Sequence, residues 1–378
     1  MLLRLRTLLG TSLVFAAVAA GCDDSAIRAA EERGRLGREA EAKASAAAAA
    51  PPAPTVAPLA LEKSDLDLYK VLPAKFESPT NEITEPKVAL GRMLYFENRL
   101  SLGQDVSCNS CHDLAKYGVD NEPTSPGHKK QRGGRNSPTV YNAAGHVAQF
   151  WDGRAKDVEE QAKGPILNPV EMAMPDAAAV IKVLKSIPGY APLFKAAFPG
   201  QADPITYDNV GNAIGAFERR LTTPSRWDKF LAGDQTALTD QEKAGFAKFA
   251  KLGCPTCHTG ANVGGSLFQK LGLVKPWPDQ SDLGRYEVTK NDSDKMYFRV
   301  PSLRNIAKTG PYFHKGQLKT LEEVVRTMAL HQLGQELKDD EVTTIIAWLN
   351  ALTGDLPADY ITKPELPASG PTTPKPVL

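Results

Sequence analysis

The sequence predicts a mainly α-helical protein made of two tandem domains of similar plan. Three observations carry this: apolar residues recur at helical spacing behind capping signals, strand alternation is scarce, and one helix-plus-pentapeptide pattern occurs twice. Thr239-x-x-Glu242 is a capping box, followed by Phe246, Phe249 and Ala250 on one face and by Gly253 as a stop. Thr320-x-x-Glu323 is a second, leading into Leu321, Val324, Val325 and Met328. Val342, Ile345, Ile346 and Leu349 form a third stripe, closed by Gly354. Further helices are expected at 86–97, 176–187 and 207–221. Between them run connections rich in Gly, Pro, Asn and Asp, notably 113–148 and 259–312. Connections of such length in a compact domain usually carry function.

Four of the five cysteines lie in Cys108-Asn-Ser-Cys111-His112 and Cys254-Pro-Thr-Cys257-His258. C-x-x-C-H is the attachment signature of haem c: the thiols add to the haem vinyl groups and the histidine binds the iron. A single copy is compatible with half a zinc site or a redox dithiol. Two copies, each with its histidine, specify two covalently bound haem c groups. Helical stretches precede both motifs, Leu90 to Leu94 the first and Phe246 to Leu252 the second, as in class I c-type cytochromes. The expected architecture is two tandem class I cytochrome c-like domains, residues 62–222 and 223–360, each with one covalent haem c and joined by long loops. No cysteine is left for a disulfide.

Residues 1–21 carry Arg4 and Arg6, an apolar run from Leu8 to Ala20 and a small-residue site before Cys22. That is a signal peptide, too short for a comfortable transmembrane span. It resembles a bacterial lipoprotein signal with Cys22 lipidated, though Ala19 stands where leucine is usual. Haem c is attached outside the cytoplasm, so a periplasmic, membrane-anchored location is expected. Residues 23–61 read as a disordered Ala/Pro-rich tether and 361–378 as an extended, proline-rich tail. The rest, about 300 residues, suffices for two ordinary domains. Lys and Arg total 45 against 44 Asp and Glu, which gives no electrostatic case for nucleic acid.

The second axial ligands decide between electron carriage and catalysis, because only an iron that can open a site binds peroxide. Histidines 128, 146, 314 and 331 remain, with Met93, Met172, Met174, Met296 and Met328 in the body. A thioether ligand raises the potential and bis-histidine ligation lowers it, so one haem of each kind makes a donor–acceptor pair. By position alone, His128 is a solvated loop histidine beside Lys129 and Lys130. By periodicity alone, Met328 is a core methionine, with Met296 as a competing ligand.

Longer stretches narrow the choice. They are Gly118-Val119-Asp120, Pro123 to His128, Arg135-Asn136-Ser137-Pro138-Thr139-Val140-Tyr141-Asn142, Gln149-Phe150-Trp151-Asp152-Gly153-Arg154-Ala155, Gln161 to Pro165 and Val170-Glu171-Met172. The second half adds Phe298 to Asn305, Gly310-Pro311-Tyr312-Phe313-His314 and Gln332-Leu333-Gly334. In this order, over residues 65–355, they resemble the bacterial di-haem cytochrome c peroxidases.

The resemblance implies a low-potential peroxidatic haem on His112, with His128 as its removable sixth ligand on a loop that includes Gly133 and Gly134. Glu171 is then the acid–base residue over the open iron, in the confined setting that suits proton transfer. Gln161 lines the same pocket. Trp151 lies between the haems, as an electron mediator or as a packing wedge. The high-potential haem sits on His258 with Met328 as sixth ligand; the related tryptophylquinone-forming enzymes have tyrosine there. Calcium is implied, bound by the Asn136 side chain and the Thr309 and Pro311 carbonyls with water. The expected activity is reduction of hydrogen peroxide to water, with electrons from a small periplasmic cytochrome c or blue-copper protein, by a homodimer. The rivals are a non-enzymatic electron-transfer cytochrome, disfavoured by Glu171 and Gln161, and a related enzyme oxidising a protein or organic substrate.

Overall fold

A computed structural model describes residues 61–377. The signal sequence, Cys22 and nearly all of the tether lie outside the described residues. The described chain is mainly helical. Its principal helices are α1 (Glu85–Tyr95), α2 (Val158–Leu167), α3 (Ala177–Lys185), α4 (Tyr190–Ala197), α5 (Tyr207–Glu218), α6 (Arg226–Leu231), α7 (Asp240–Lys251), α8 (Leu321–Leu333) and α9 (Asp339–Ala351). A two-stranded antiparallel ribbon pairs β1 (Phe268–Lys270) with β2 (Tyr297–Arg299), Gln269 opposite Phe298. Among the described residues, no helix is long and apolar enough to cross a membrane.

Helix starts follow the capping chemistry. Glu242 N–H donates to Thr239 Oγ1 (3.3 Å) while Thr239 N–H donates to the Glu242 carboxylate (2.8 Å). The same reciprocal pair links Thr320 and Glu323. Asp176 caps α3 and Thr206 caps α5. Gly253 has φ +91°, the left-handed stop expected after α7. Gly354 differs: α9 ends at Ala351, and Gly354 instead packs its backbone on Thr223, where a Cβ would lie 2.0 Å from the carbonyl oxygen. Helix α2 was hidden in the sequence because Gly164 and Pro165 lie inside it. The two long connections do lack extended regular structure, holding short helical turns and the ribbon.

Two large hydrophobic cores organise these elements. The first gathers Leu90, Leu94, Tyr95, Phe194, Ile214 and Phe217 with Met172 and Met174. The second is an aromatic cluster of Tyr69, Trp227, Phe230, Phe246, Phe249 and Trp348. Their plans repeat. α1 crosses α5 and α7 crosses α9, each time where a glycine removes the side chain. A Cβ on Gly91 would lie 1.8 Å from Ala213 O, and one on Gly245 would lie 2.2 Å from Thr344 O. α7 ends just before Cys254, whereas residues 96–107 intervene between α1 and Cys108. Packing departs from chain order at both ends: Leu61 and Leu66 join the second core, and Leu356, Tyr360 and Ile361 join the first. The tail then runs along the first core, with Arg92 donating to Thr362 O, Arg99 to Pro367 O and Val377 N–H to Leu102 O.

A buried ion pair fixes the second half. Arg304 is 1 % exposed and its Nη2 donates to Asp228 Oδ1 (2.8 Å). Asp228 also accepts from the main chain of Leu72 (2.8 Å) and Ser225 (2.7 Å). Removing one partner of such a pair strands the other charge in the interior. Gly245→Ala forces α7 off α9, and overpacking of this kind costs about 1–3 kcal/mol. Its thermal or denaturant midpoint should fall below that of the parent, while Gly233→Ala, whose glycine faces open space, serves as the strained-backbone comparison without a steric clash.

Candidate active site and electron-entry site

The first attachment motif forms one helical turn, Cys108–Cys111, opened by a capping box between Ser107 and Ser110. His112 follows, its carbonyl accepting from Tyr95 Oη (2.7 Å). Desolvation holds the His112 pKa below the ordinary imidazole value, so the ring is neutral, the form that binds a metal. Burial raises both Cys108 and Cys111; the Glu218 charge raises Cys108 further and the Asp120 charge raises Cys111, with Glu171 adding less at each.

His128 is brought to the segment that carries Glu171. It is 9 % exposed, unlike a solvated loop histidine. Its N–H donates to Glu171 O at 2.7 Å. Gly127 makes that approach possible: a Cβ there would lie 2.2 Å from Val170 O and 2.7 Å from Glu171 Cα. Lys129 and Lys130 both adopt positive φ (53° and 60°), so the chain beyond His128 turns through conformations uncommon for side-chain-bearing residues.

Glu171 stands on the irregular loop after α2. Met172 N–H donates to Pro165 O (3.2 Å) and Leu102 N–H to Met172 O (2.8 Å), while Met172 and Met174 anchor in the first core. Burial raises the Glu171 pKa; the Arg154 charge and a hydrogen bond from Asn168 oppose this without cancelling it. Asn168 Nδ2 donates to Glu171 Oε1 (2.9 Å), and Asn168 Oδ1 accepts from Val170 N–H (3.0 Å). Gln161 is half-buried on α2, and its amide makes no hydrogen bond to Glu171 or to any other described residue.

The second motif borders a cavity of about 300 Å³ whose walls include Cys254, Cys257, His258, Trp151 and Met328. His258 Nδ1 lies 3.3 Å from Val263 O; donation there leaves Nε2 as the bare nitrogen for a metal. Desolvation pushes its pKa down to about 4, so this ring too is neutral. Two thiols, a neutral imidazole and a mostly apolar wall fit a covalently held haem. The stripe Leu321, Val324, Val325 and Met328 faces this cavity, so the periodicity read as core marks its wall. Met296 is buried beside Leu271 and Phe298 but is not part of the cavity lining.

Trp151 joins the cluster of Leu271, Trp277 and Phe298 together with Met328. Its Nε1–H donates to Asn136 O (2.9 Å) and its ring meets His314 edge-on at 6.4 Å. Asn136, Thr309 and Pro311, from both halves of the chain, all line the cavity. Asn136 Nδ2 donates to Glu122 O (3.0 Å). Among the described residues, no group of three or more His, Cys, Asp or Glu side chains could hold a metal ion.

A family model described as di-haem cytochrome c peroxidase matches residues 85–236. Cytochrome c551 peroxidase from Pseudomonas aeruginosa is 46% identical over 324 residues, covering 84% of this chain and 92% of that one. The protein of the same name from Nitrosomonas europaea is 47% identical over 307 residues, covering 81% and 90%. The chain belongs to the di-haem cytochrome c peroxidase family. Among solved structures, a MauG-like protein associated with microbial copper homeostasis superposes with a TM-score of 0.69 at 26% identity, over 78% of this chain and 97% of that one.

In this peroxidase, sequence reasoning attached no role to Asn168, Arg154, His146, His314 or Arg299. Asn168 and Arg154 act on Glu171 through the bond and the charge described above. His146, His314 and Arg299 line the second cavity. Isolated polar residues in long connections carry no periodicity, so only the chain's path reveals them. His331 is accounted for structurally, its Nδ1 lying 2.9 Å from Lys275 O. Gly127→Ala should push the Glu171 backbone away from His128. A displacement of about 1 Å can cost 10²-fold in rate; the expected outcome is a loss of peroxide turnover of that order with haem content unchanged, checked by steady-state assay and pyridine haemochrome.

Proposed function

We propose that this peroxidase reduces hydrogen peroxide at the His112 site with electrons that enter at the His258 site: H2O2 + 2e⁻ + 2H⁺ → 2H2O. The observation that carries the reading is asymmetry. In the first half a half-buried carboxyl with a raised pKa meets a clamped histidine, whereas a methionine faces the cavity of the second motif. Each core with its motif is read as one cytochrome c-like domain. When bound, haem iron supplies the site for peroxide and the store of electrons.

The residues divide the remaining work. His112 and His258, both neutral, would hold the two haem irons. His128 would be a removable second ligand at the first site, and Met328 would be the retained second ligand at the other. Glu171 takes the proton from the near oxygen of peroxide and returns it to the leaving oxygen. Asn168 occupies Oε1, which leaves Oε2 as the oxygen that carries the proton. Gln161, with its amide unengaged, orients peroxide or water. Trp151 stands on the route between the sites, its indole fixed by Asn136.

Asn136 Oδ1 with the Thr309 and Pro311 carbonyls is the candidate calcium site. With no carboxylate among these donors, affinity belongs at the weak end of the calcium range. The relatives' name, cytochrome c551 peroxidase, supports a small cytochrome c as donor, with a blue-copper protein as the alternative. The N-terminal signal supports a periplasmic location with a lipid anchor on Cys22, and the family resemblance supports a homodimer.

Glu171→Gln keeps shape and hydrogen bonding but cannot carry the proton. General acid–base contributions run to about 10²–10⁴-fold, so kcat should fall within that range while both haems remain attached. The parent should lose kcat/KM on the acid side as Glu171 becomes protonated, because only the carboxylate accepts the proton. Since burial raises this pKa, that limb should lie above the ordinary carboxyl value of about 4.3. Glu171→Gln should abolish the limb; its persistence would assign it to another group.

A further inference from the structure

We infer that Arg299 and His146 form the subsite that holds a haem carboxylate in the His258 cavity. The inference rests on the reading of that cavity as a haem site and adds the anion-binding residues to it.

Arg299 closes β2 and is 3 % exposed on the cavity wall. One hydrogen bond occupies its side chain, from Nε to Phe150 O at 3.4 Å, and Nη1 is buried without a partner. Among the described residues, no carboxylate lies within ion-pair distance of it and no acidic side chain lines the cavity. Buried Asp152 and partly buried Asp282 are already engaged, since Arg135 binds them at 2.6 Å and 2.7 Å.

A guanidinium cannot discharge itself. Burial lowers the Arg299 pKa only to about 10, so it stays cationic at any physiological pH. A buried charge needs a counter-charge, and here the protein supplies none. Haem c carries two carboxylates, the chemical class that matches a guanidinium fork.

His146 completes the subsite. Both of its ring nitrogens are buried without partners. Desolvation, then the Arg299 charge, keep the ring neutral, so it offers one N–H donor. Gly265 packs on the ring so closely that a Cβ would lie 2.3 Å from Cδ2, and Val147 N–H donates to Gly265 O at 2.8 Å. The imidazole is therefore held in place.

The subsite also joins the electron route. Arg299 N–H donates to Trp151 O (2.8 Å), and its Nε reaches Phe150 O. The residue that holds the carboxylate thus braces the segment that carries the indole.

The test uses the mature holoprotein and reads potentials, not turnover. A cation beside the haem favours the reduced state, because reduction adds negative charge. In spectroelectrochemical titration, Arg299→Gln should lower the midpoint of the His258 haem by at least 59 mV, a tenfold loss in the one-electron equilibrium constant. Arg299→Lys should restore most of it, and the His112 haem should move less. His146→Ala should give a smaller downward shift. An Arg299→Gln protein with two haems, normal turnover and an unshifted His258 midpoint overturns the subsite while leaving the peroxidase reading intact. Parent protein with a single haem or without turnover strikes at that reading instead. If Arg299→Gln does not mature, a crystal structure of the parent holoprotein decides: a guanidinium hydrogen-bonded to a haem carboxylate supports the subsite, and one bonded only to protein carbonyls overturns it.

Discussion

The 2.7 Å hydrogen bond from His128 N–H to Glu171 O joins the two segments on which peroxide chemistry at the first site depends. One carries the proposed removable ligand and the other the proposed proton carrier. Because the bond is main chain to main chain, and because Gly127 lies flush on Val170 and Glu171, neither segment can shift without disturbing the other. The carboxyl side is the stiffer. Met172 and Met174 are sunk in the first core, α2 ends in a hydrogen bond to Met172, and Leu102 ties the loop to the strand of chain beneath the C-terminal tail. The histidine side is the looser, with two consecutive residues in the left-handed region and open space around Gly133 and Gly134. The proposed release of His128 is therefore coupled, through this bond, to the loop that carries Glu171.

The second site has the opposite character. Its cavity is walled by one face of α8 and by the aromatic cluster around Trp277 and Phe298, with histidines held neutral by desolvation. A methionine seated on a regular helix has little freedom to leave. The single permanent charge in that wall, Arg299, sits beside the chain that carries Trp151. The two halves repeat one helical plan, glycine-mediated crossings included. They diverge in where the candidate ligand sits, His128 on a loop and Met328 on α8.

Much of this was legible in the sequence wherever local chemistry is repetitive. Two capping boxes and the apolar stripes placed most helices, and the paired C-x-x-C-H motifs marked both candidate attachment sites. What escaped was set by contacts distant in sequence. Gly354 looked like a helix stop, but its backbone is pressed on Thr223. Gly164 and Pro165 hid α2, whose end is stabilised by Met172 and Met174 reaching back to it. The tail's lodging on the first core depends on Arg92, Arg99 and Gln104, more than 250 positions earlier in the chain. Arg299 and His146 acquire meaning only once folding places both on one wall. Motif resemblance located Glu171 and His128, whereas their direct bond could be learned only from the path of the backbone.

The central claim, an opening first site beside a closed second one, is tested most directly by poising the protein with the His258 haem reduced and the His112 haem oxidised and recording its electron paramagnetic resonance and optical spectra. The expected outcome is a high-spin signal from the His112 haem that converts on adding cyanide, with the His258 haem remaining low-spin. A His112 haem that stays six-coordinate and low-spin in that state and in the fully oxidised state, and that takes up no cyanide in either, would contradict it.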